Sequence, residues 1–494
     1  MPAFTCWSGT VAEFKARAYQ DVMIDHMIDH PRCAAFVFMG AGKTSSVLAT
    51  LTRLSLVEDP FPALIVAPLR VARKTWREEI AKWDDFKGLR VSQIVGPAAD
   101  RTAALKQPAE IYTINYENLP WLVEQLGKSS PFKTIVIDES SKLKNFRGSI
   151  QTHPKTGKKF LRCDSGRNTG ALAKLAFKAT RVIELTGTPA PNGLVNLWAQ
   201  IWFLDGGARL GRTFNDFVSR WFHPHPSGYG LLPNGRAQAE IQERIKDICL
   251  TIDPADWFDL ETPIHSVIKV ELDPKARQAY DRMEKTMFLE IEGNEVEAMN
   301  AAAKTMKCLQ LANGAIYTDE TGNWTEVHAA KLEALDEIVE EANGMPILVA
   351  YQFQSDLTRL LKAFPKGRVL KTEKDEDDFK AGRIPLLFAH PSSAGHGIDG
   401  FQRVTNIIVF FGHWWDLETR QQIIERIGPV RQLQSGMNRP VFIYDIVAAG
   451  TVDELVMVRH ETKREVQDIL LEALAERSST SRTKISTSRN ICLT

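Results

Sequence analysis

The chain has 494 residues, 44% of them hydrophobic and 25% charged. At roughly 100–200 residues per domain that means two to four globular domains, and no run nears the ~18 apolar residues of a membrane span. Lysine plus arginine equals aspartate plus glutamate at 61 each, which excludes a wholly basic nucleic-acid coat protein but not local basic patches.

The opening MPAFTCWSGTVAEFKARAYQ has no basic patch followed by an apolar block, so no secretory signal is expected. The cysteines (Cys6, Cys33, Cys163, Cys249, Cys308, Cys492) stand singly, without a CxxC. Reduced cytosolic thiols are expected, not a disulfide framework or a structural zinc. The elements then follow in chain order. AFVFMG (35–40), ALIVAPL (63–69), EIYTIN (110–115), TIVIDES (134–140) and RVIELTGT (181–188) are apolar runs that stop at turns or polar residues. This is the expected look of strands buried on both faces of a parallel sheet. Helical stretches such as TWREEIAKW (75–83) lie between them, predicting an α/β doubly wound domain. From about 205 to 264 the chain turns to aromatics, Gly, Pro and His and reads as an inserted or connecting subdomain. Residues 275–312 read as one long helix ending at Asn313-Gly314. A hairpin follows, with its turn at Gly322-Asn323. A second α/β set starts near Lys331, with strands at 346–352, 367–372, 384–390, 406–412 and 440–448. A helix over 451–476 closes the fold, and the basic tail 477–494 reads as disordered. The predicted domains are 1–204, 205–330, 331–476 and 477–494.

Three motifs carry chemistry. FMGAGKTSS (38–46) joins a strand to a helix. Backbone N–H groups from Gly40 through Ala41, Gly42 and Lys43 to Thr44 suit a phosphate at a helix N-terminus. Lys43 would neutralise the β/γ oxygens, and the Thr44 hydroxyl would ligate Mg²⁺. Val37 stands where the usual phosphate loop has its first glycine. In IVIDESS (135–141), three apolar residues lift Asp138 and Glu139 to the carboxyl end of a buried strand, where α/β sheets bind ligands. Asp138 is expected to hold Mg²⁺ and Glu139 to orient or deprotonate water. In ELTGTPAPNGLVNLW (184–198), Thr186 and Thr188 flank Gly187 at a strand end, a polar turn suited to sensing a γ-phosphate.

The order MGAGKT, APLRVARKTW, DESSKLKN, LTGTPAPN resembles the first lobe of superfamily two helicase-like ATPases, most closely the Swi/Snf-type DNA-dependent ATPases. Tyr19-Gln20 resembles the family's adenine-reading glutamine motif. ILVAYQFQSDLTRLL (347–361), SSAGHGIDG (392–400) and WWDLETRQQIIERIGPVRQ (414–432) resemble motifs four, five and six, and LANGAIY (311–317) with HAAKLEALDEI (328–338) resembles the approach to lobe two. The match spans roughly 15–475 and looks like compact bacteriophage and bacterial stand-alone versions. It implies two RecA-like doubly wound parallel-sheet lobes with a cleft between them and a mostly helical insertion, using ATP and Mg²⁺. Carried over, the motifs give Gln20, Met39 to Ser45, Gly397 and Asp399 to ATP, and Thr186, Gly187, Thr188 and Gln422 to coupling. Arg426 and Arg431 are the candidate arginine fingers. Arg70, Arg73, Lys74, Ser392 and Ser393 are candidate contacts to the DNA backbone.

The chain departs from the family in places. Ser141 stands where motif two usually has His, His396 and Asp399 stand in motif five where Gly and Asn are frequent, and Gly428-Pro429 replaces His-Arg. Pro429 is expected to end the helix, leaving Arg426 on it and Arg431 in the following loop. Residues 146–170 form an insertion, and the stretch from Lys142 to Gly170 holds eight Lys or Arg and one acidic residue, Asp164. Its KTGKK core (155–159) reads as a hairpin tip. Lys155, Lys158 and Lys159 are candidate DNA-phosphate contacts, with a solvated loop as the alternative. A double-stranded DNA translocase or remodeller in the cytoplasm of a bacterial or phage-infected cell is the leading expectation. A strand-separating DNA or RNA helicase and a slow ATP-gated adaptor stay open.

Overall fold

The computed structural model describes residues 13–462 except 128, 155, 164–165, 192, 225–230, 290–295, 320–321, 392–398 and 438, and gives no side-chain description for 285–304. The chain divides into two compact units, one running to Trp257 and the other starting at Phe258.

The first unit holds β1 (Arg32–Val37), β2 (Ala63–Ala67), β3 (Val91–Ile94), β4 (Ile111–Asn115), β5 (Thr134–Asp138), β6 (Gly148–Thr152), β7 (Lys159–Cys163), β8 (Arg181–Thr186), β9 (Phe222–Pro224), β10 (Leu231–Pro233) and β11 (Cys249–Ile252). Seven of these form one sheet in the order β11-β1-β8-β5-β2-β4-β3. Every pairing in it is parallel. Strands β2, β4, β5 and β8 are buried at every position. That double-sided burial is why they read as unbroken apolar runs. Because β1 and β5 both flank β8, the segments leaving Val37, Asp138 and Thr186 emerge side by side at the sheet's carboxyl edge.

The stretch read as an insertion at 205–264 is woven into this unit as far as 257, and its last residues enter the second unit. Its helices Phe214–Trp221 and Ala237–Ile245 pack into the core, and β11 extends the sheet by pairing with β1. Strands β6 and β7 form the expected antiparallel hairpin, pairing with each other and with no strand of the parallel sheet.

The second unit holds β12 (Ile264–Val270), β13 (Ala315–Tyr317), β14 (Trp324–Glu326), β15 (Ile347–Ala350), β16 (Arg368–Val369), β17 (Leu386–Ala389), β18 (Ile407–Phe410) and β19 (Phe442–Ala448). Its sheet runs β12-β19-β18-β15-β17-β16, again all parallel. Strands β13 and β14 are the expected hairpin. The single helix predicted over 275–312 is instead two helices, Pro274–Leu289 and Val296–Asn313, lying against each other. The sequence between them includes Gly293, a residue that costs about 1 kcal/mol inside a helix. Of the closing helix, 452–462 is described, and the 477–494 tail lies outside the described residues. No helix among the described residues is long and apolar enough to cross a membrane.

Candidate active site

β1 ends at Val37 and the chain turns through Phe38–Gly42 into the helix Lys43–Leu54. Gly40 (φ 83°) and Gly42 (φ 75°) are left-handed, the backbone that a tight loop opening directly into a helix requires. At Gly42 a Cβ would also lie 2.3 Å from Gln20 Nε2. That amide donates to the Ala41 carbonyl at 3.0 Å, while Gln20 Oε1 accepts from the Arg17 N–H at 2.9 Å. The glutamine expected at the base is thus fastened to the glycine loop expected at the phosphates. Lys43 Nζ donates to the Val37 and Phe38 carbonyls at 3.1 and 3.3 Å, which holds the ammonium inside the loop. Thr44 is half-buried at the helix start. Buried Ser45 donates to the Gly42 carbonyl at 2.9 Å, so its hydroxyl braces the loop. Met39 is buried against Gly187, whose missing Cβ would lie 3.2 Å from Met39 Cγ.

Asp138 closes β5 and is buried. Burial pushes its carboxyl above the usual range, and the Lys43 ammonium, the Glu139 backbone and the Trp76 indole oppose this. Lys43 and Asp138 therefore sense each other across the carboxyl edge. Glu139 adopts φ 58°, one of two described non-glycine residues with positive φ. Such a backbone costs of order 1–3 kcal/mol and persists only when the surroundings enforce it. Tyr116 does so, donating to the Asp138 and Glu139 carbonyls at 2.8 and 3.3 Å. The Thr188 N–H donates to Thr186 Oγ1 at 3.0 Å and shapes the turn after β8. Sequence reasoning missed Tyr116, which sits between Asn115 and Glu117 with no spacing to mark it, and it gave Trp76 no role of its own.

Glu184, on β8, is fully buried, and burial raises its pKa well above the ordinary range, opposed by Ser140. Between the unfolded and folded pKa values the folded state binds the extra proton, so its contribution to stability falls as pH rises. Glu184→Gln should raise the melting midpoint at pH 8 and flatten the loss of stability above pH 5. Each kcal/mol recovered is worth about 2–4 °C in a unit of this size. Thermal unfolding followed by circular dichroism between pH 5 and 8 checks it, and an unchanged profile would mean Glu184 ionises inside the fold.

In the second unit the helix Leu417–Ile424 ends before Arg426. Gly428 caps a second helix, Pro429–Gln434, with Pro429 at its first position. Arg431 thus sits on a helix, not in the loop expected: proline ends one helix but is pre-organised to start the next. Arg431 pairs with Asp399, and Arg426 is buried in the turn. Gln422 is buried on the first helix, 3.5 Å from Glu418 Oε1. Arg420 anchors that helix to β19. Its guanidinium bonds Asp445 at 2.8 Å and stacks 3.8 Å over the Phe410 ring. Lys331, with no exposed surface, pairs with Asp453 at 2.6 Å and donates to Asn313 Oδ1 at 2.8 Å. Asn313 bonds Asp356, a carboxyl that burial pushes up to about 6.

Of the DNA candidates, Arg73 is exposed and Arg70 and Lys74 are half-buried around the turn Val71–Thr75 after β2. Lys158 and Lys159 are exposed on the β6–β7 hairpin, as is Arg162. Lys155, Ser392, Ser393 and Gly397 lie outside the described residues. Among the described residues no three His, Cys, Asp or Glu side chains gather as a metal cluster.

The family model for the SNF2-related domain matches residues 38–316, more than half of the chain. Protein p41 of Acyrthosiphon pisum secondary endosymbiont phage 1 is 51% identical over 93% of this chain and 99% of its own length. A mouse SWI/SNF-related matrix-associated actin-dependent regulator of chromatin (subfamily A member 1) is 21% identical over 88% of this chain, and an ATP-dependent helicase of Mycoplasma pneumoniae is 25% identical over 89%. The chain spans only 41% and 40% of the length of those two. With a phosphate loop and a buried aspartate at one sheet edge and a family model covering both, the chain belongs to the SNF2 family of helicase-like, DNA-dependent ATPases.

Proposed function

We propose that this chain is a double-stranded DNA translocase that grips the duplex by its backbone and hydrolyses ATP to step along it. The observation that carries the reading is one edge of one sheet. Lys43 and Asp138 meet there, and the strand that delivers Asp138 runs on into an exposed basic hairpin. In this reading the backbone N–H groups of Met39–Thr44 cradle the phosphates, Gln20 reads the base, and Glu139 accepts the proton of the attacking water. The Thr44 hydroxyl and the Asp138 carboxylate, pulled toward its ionised form by Lys43, are an oxygen donor pair of the kind Mg²⁺ takes. That ion, bound with the nucleotide, would neutralise phosphate charge. Arg431 and Arg426, carried on the second unit, are the proposed arginine fingers, with Asp399 orienting Arg431. The Thr186-Gly187-Thr188 turn, lying against Met39, and Gln422, beside Arg426 on the chain, report the phosphate state to the DNA grip. A motor must step over any sequence, so its contacts are with phosphates: Arg70, Arg73, Lys74 and the hairpin lysines. The phage source of the 51%-identical relative supports the cytoplasm of a bacterial or phage-infected cell as the place of action.

Steady-state ATPase with duplex DNA, single-stranded DNA and RNA tests this. Duplex should stimulate most. Equal stimulation by single strands would favour a strand-separating helicase, and none by any would leave an ATP-gated adaptor. The hairpin has its own test. Neutralising Lys155, Lys158, Lys159 and Arg162 should weaken duplex binding equally on unrelated sequences. The log–log salt slope should flatten by about 0.9 for each phosphate no longer neutralised. Titrations from about 50 to 200 mM salt measure it, and an unchanged slope makes the hairpin a solvated loop.

A further inference from the structure

The helix Leu197–Asp205 is buried from Leu197 through Leu204. Gln200 lies in the middle of that apolar run with no exposed surface. Burying an amide is costly unless its donors and acceptors are paired, and Gln200 pairs both ends. Its Oε1 accepts from Ser140 Oγ at 2.9 Å, and its Nε2 donates to the Pro189 carbonyl at 2.7 Å, with the Asn196 carbonyl at 3.3 Å. Ser140 directly follows Glu139, and Pro189 directly follows Thr188. One side chain thus clasps the segment bearing the proposed base to the turn bearing the proposed sensor. The same helix reaches the root of the basic hairpin. Phe146, two residues before β6, lies between Trp202 and Phe203, with ring centroids 4.7 and 4.8 Å away. At Gly206, just past the helix, a Cβ would come within 2.6 Å of Ile150 of β6.

We infer that Gln200 is a positioning residue of the ATPase, registering Glu139 against the 186–189 turn and passing the load on the hairpin to both. The inference rests on the reading of this unit as a DNA-stimulated ATPase in which Glu139 acts on water. Leucine would fill the same apolar run without either bond, so Gln200→Leu is the direct probe.

The experiment is steady-state ATPase, with and without saturating duplex DNA, on wild type, Gln200→Leu, Ser140→Ala, Ser140→Thr and the double variant Ser140→Ala/Gln200→Leu. Gln200→Leu should lower DNA-stimulated kcat about tenfold with little change in KM for ATP, because binding and turnover part when only the transition state is affected. Ser140→Ala should do much the same. The double variant should be no worse than Gln200→Leu, since both changes remove one shared bond. Ser140→Thr, which keeps the hydroxyl, should restore the rate. A residue that only stabilised the core would lower the melting midpoint without this split or rescue. Full kcat in Gln200→Leu, or single losses that multiply in the double variant, would overturn the inference. If Gln200→Leu fails to fold, the Ser140→Ala and Ser140→Thr pair decides alone. A wild type that DNA does not stimulate would instead bring down the underlying reading, and the inference with it.

Discussion

Glu139→Gln should bind ATP as the wild type does and turn it over about 10³-fold more slowly, the scale expected when a positioned general base is removed. The amide keeps the shape of the carboxylate and so preserves the left-handed backbone that Tyr116 holds from two carbonyls. What disappears is the proton acceptor. Lys43→Ala should fail differently. The ammonium held over the loop by the Val37 and Phe38 carbonyls is the charge that phosphates would meet, so its removal should raise the nucleotide dissociation constant first. Fluorescent-nucleotide binding and single-turnover hydrolysis on both variants separate the two effects. Wild-type turnover in Glu139→Gln would reduce Glu139 to a strained strand end.

Arg431→Ala should cut kcat roughly 10³-fold at saturating DNA with little change in ATP affinity, the pattern of a group that acts in the transition state. Its partner Asp399 is exposed while Arg431 is itself largely buried; an ion pair with one partner in solvent is worth about 1 kcal/mol, so the proposed finger would exchange Asp399 for a phosphate at little cost. Arg426 is different: it is buried in the turn between two helices. Arg426→Ala should therefore lose DNA stimulation and thermal stability together. ATPase of the two variants side by side decides. Near-normal kcat in Arg431→Ala would leave its pair with Asp399 as a surface ion pair and nothing more.

Strands such as β2 and β5 are legible because burial on both faces writes them as unbroken apolar runs. Three of the four sheet margins are not. β3 reads Val-Ser-Gln-Ile, β11 is four residues long, and β12 alternates along an exposed edge. A one-sided strand carries half the apolar signal, and a short one carries too few periods. The phosphate loop is legible for a backbone reason: only glycine suits the left-handed turns at Gly40 and Gly42, and Lys43 follows at once. Gln200 and Tyr116 are illegible for the opposite reason. Gln200 is one polar group in an apolar run and Tyr116 one aromatic in a polar turn, and the partners of each are brought to it only by the fold. Arg431 misleads because proline reads as a stop, when at a helix N-terminus it is also a start.

The β6–β7 hairpin shares no hydrogen-bonded strand with the seven-stranded sheet, so its length is free of the register that constrains the strands of that sheet. Doubling such a loop adds only about 0.6 kcal/mol of closure entropy. Relatives within the family can therefore trim, extend or recharge this arm between Phe146 and Gly166 without redesigning the sheet beneath it. If the arm holds duplex as proposed, it is the natural seat of variation in what each relative grips, and a ready graft point for anyone wishing to retarget the motor.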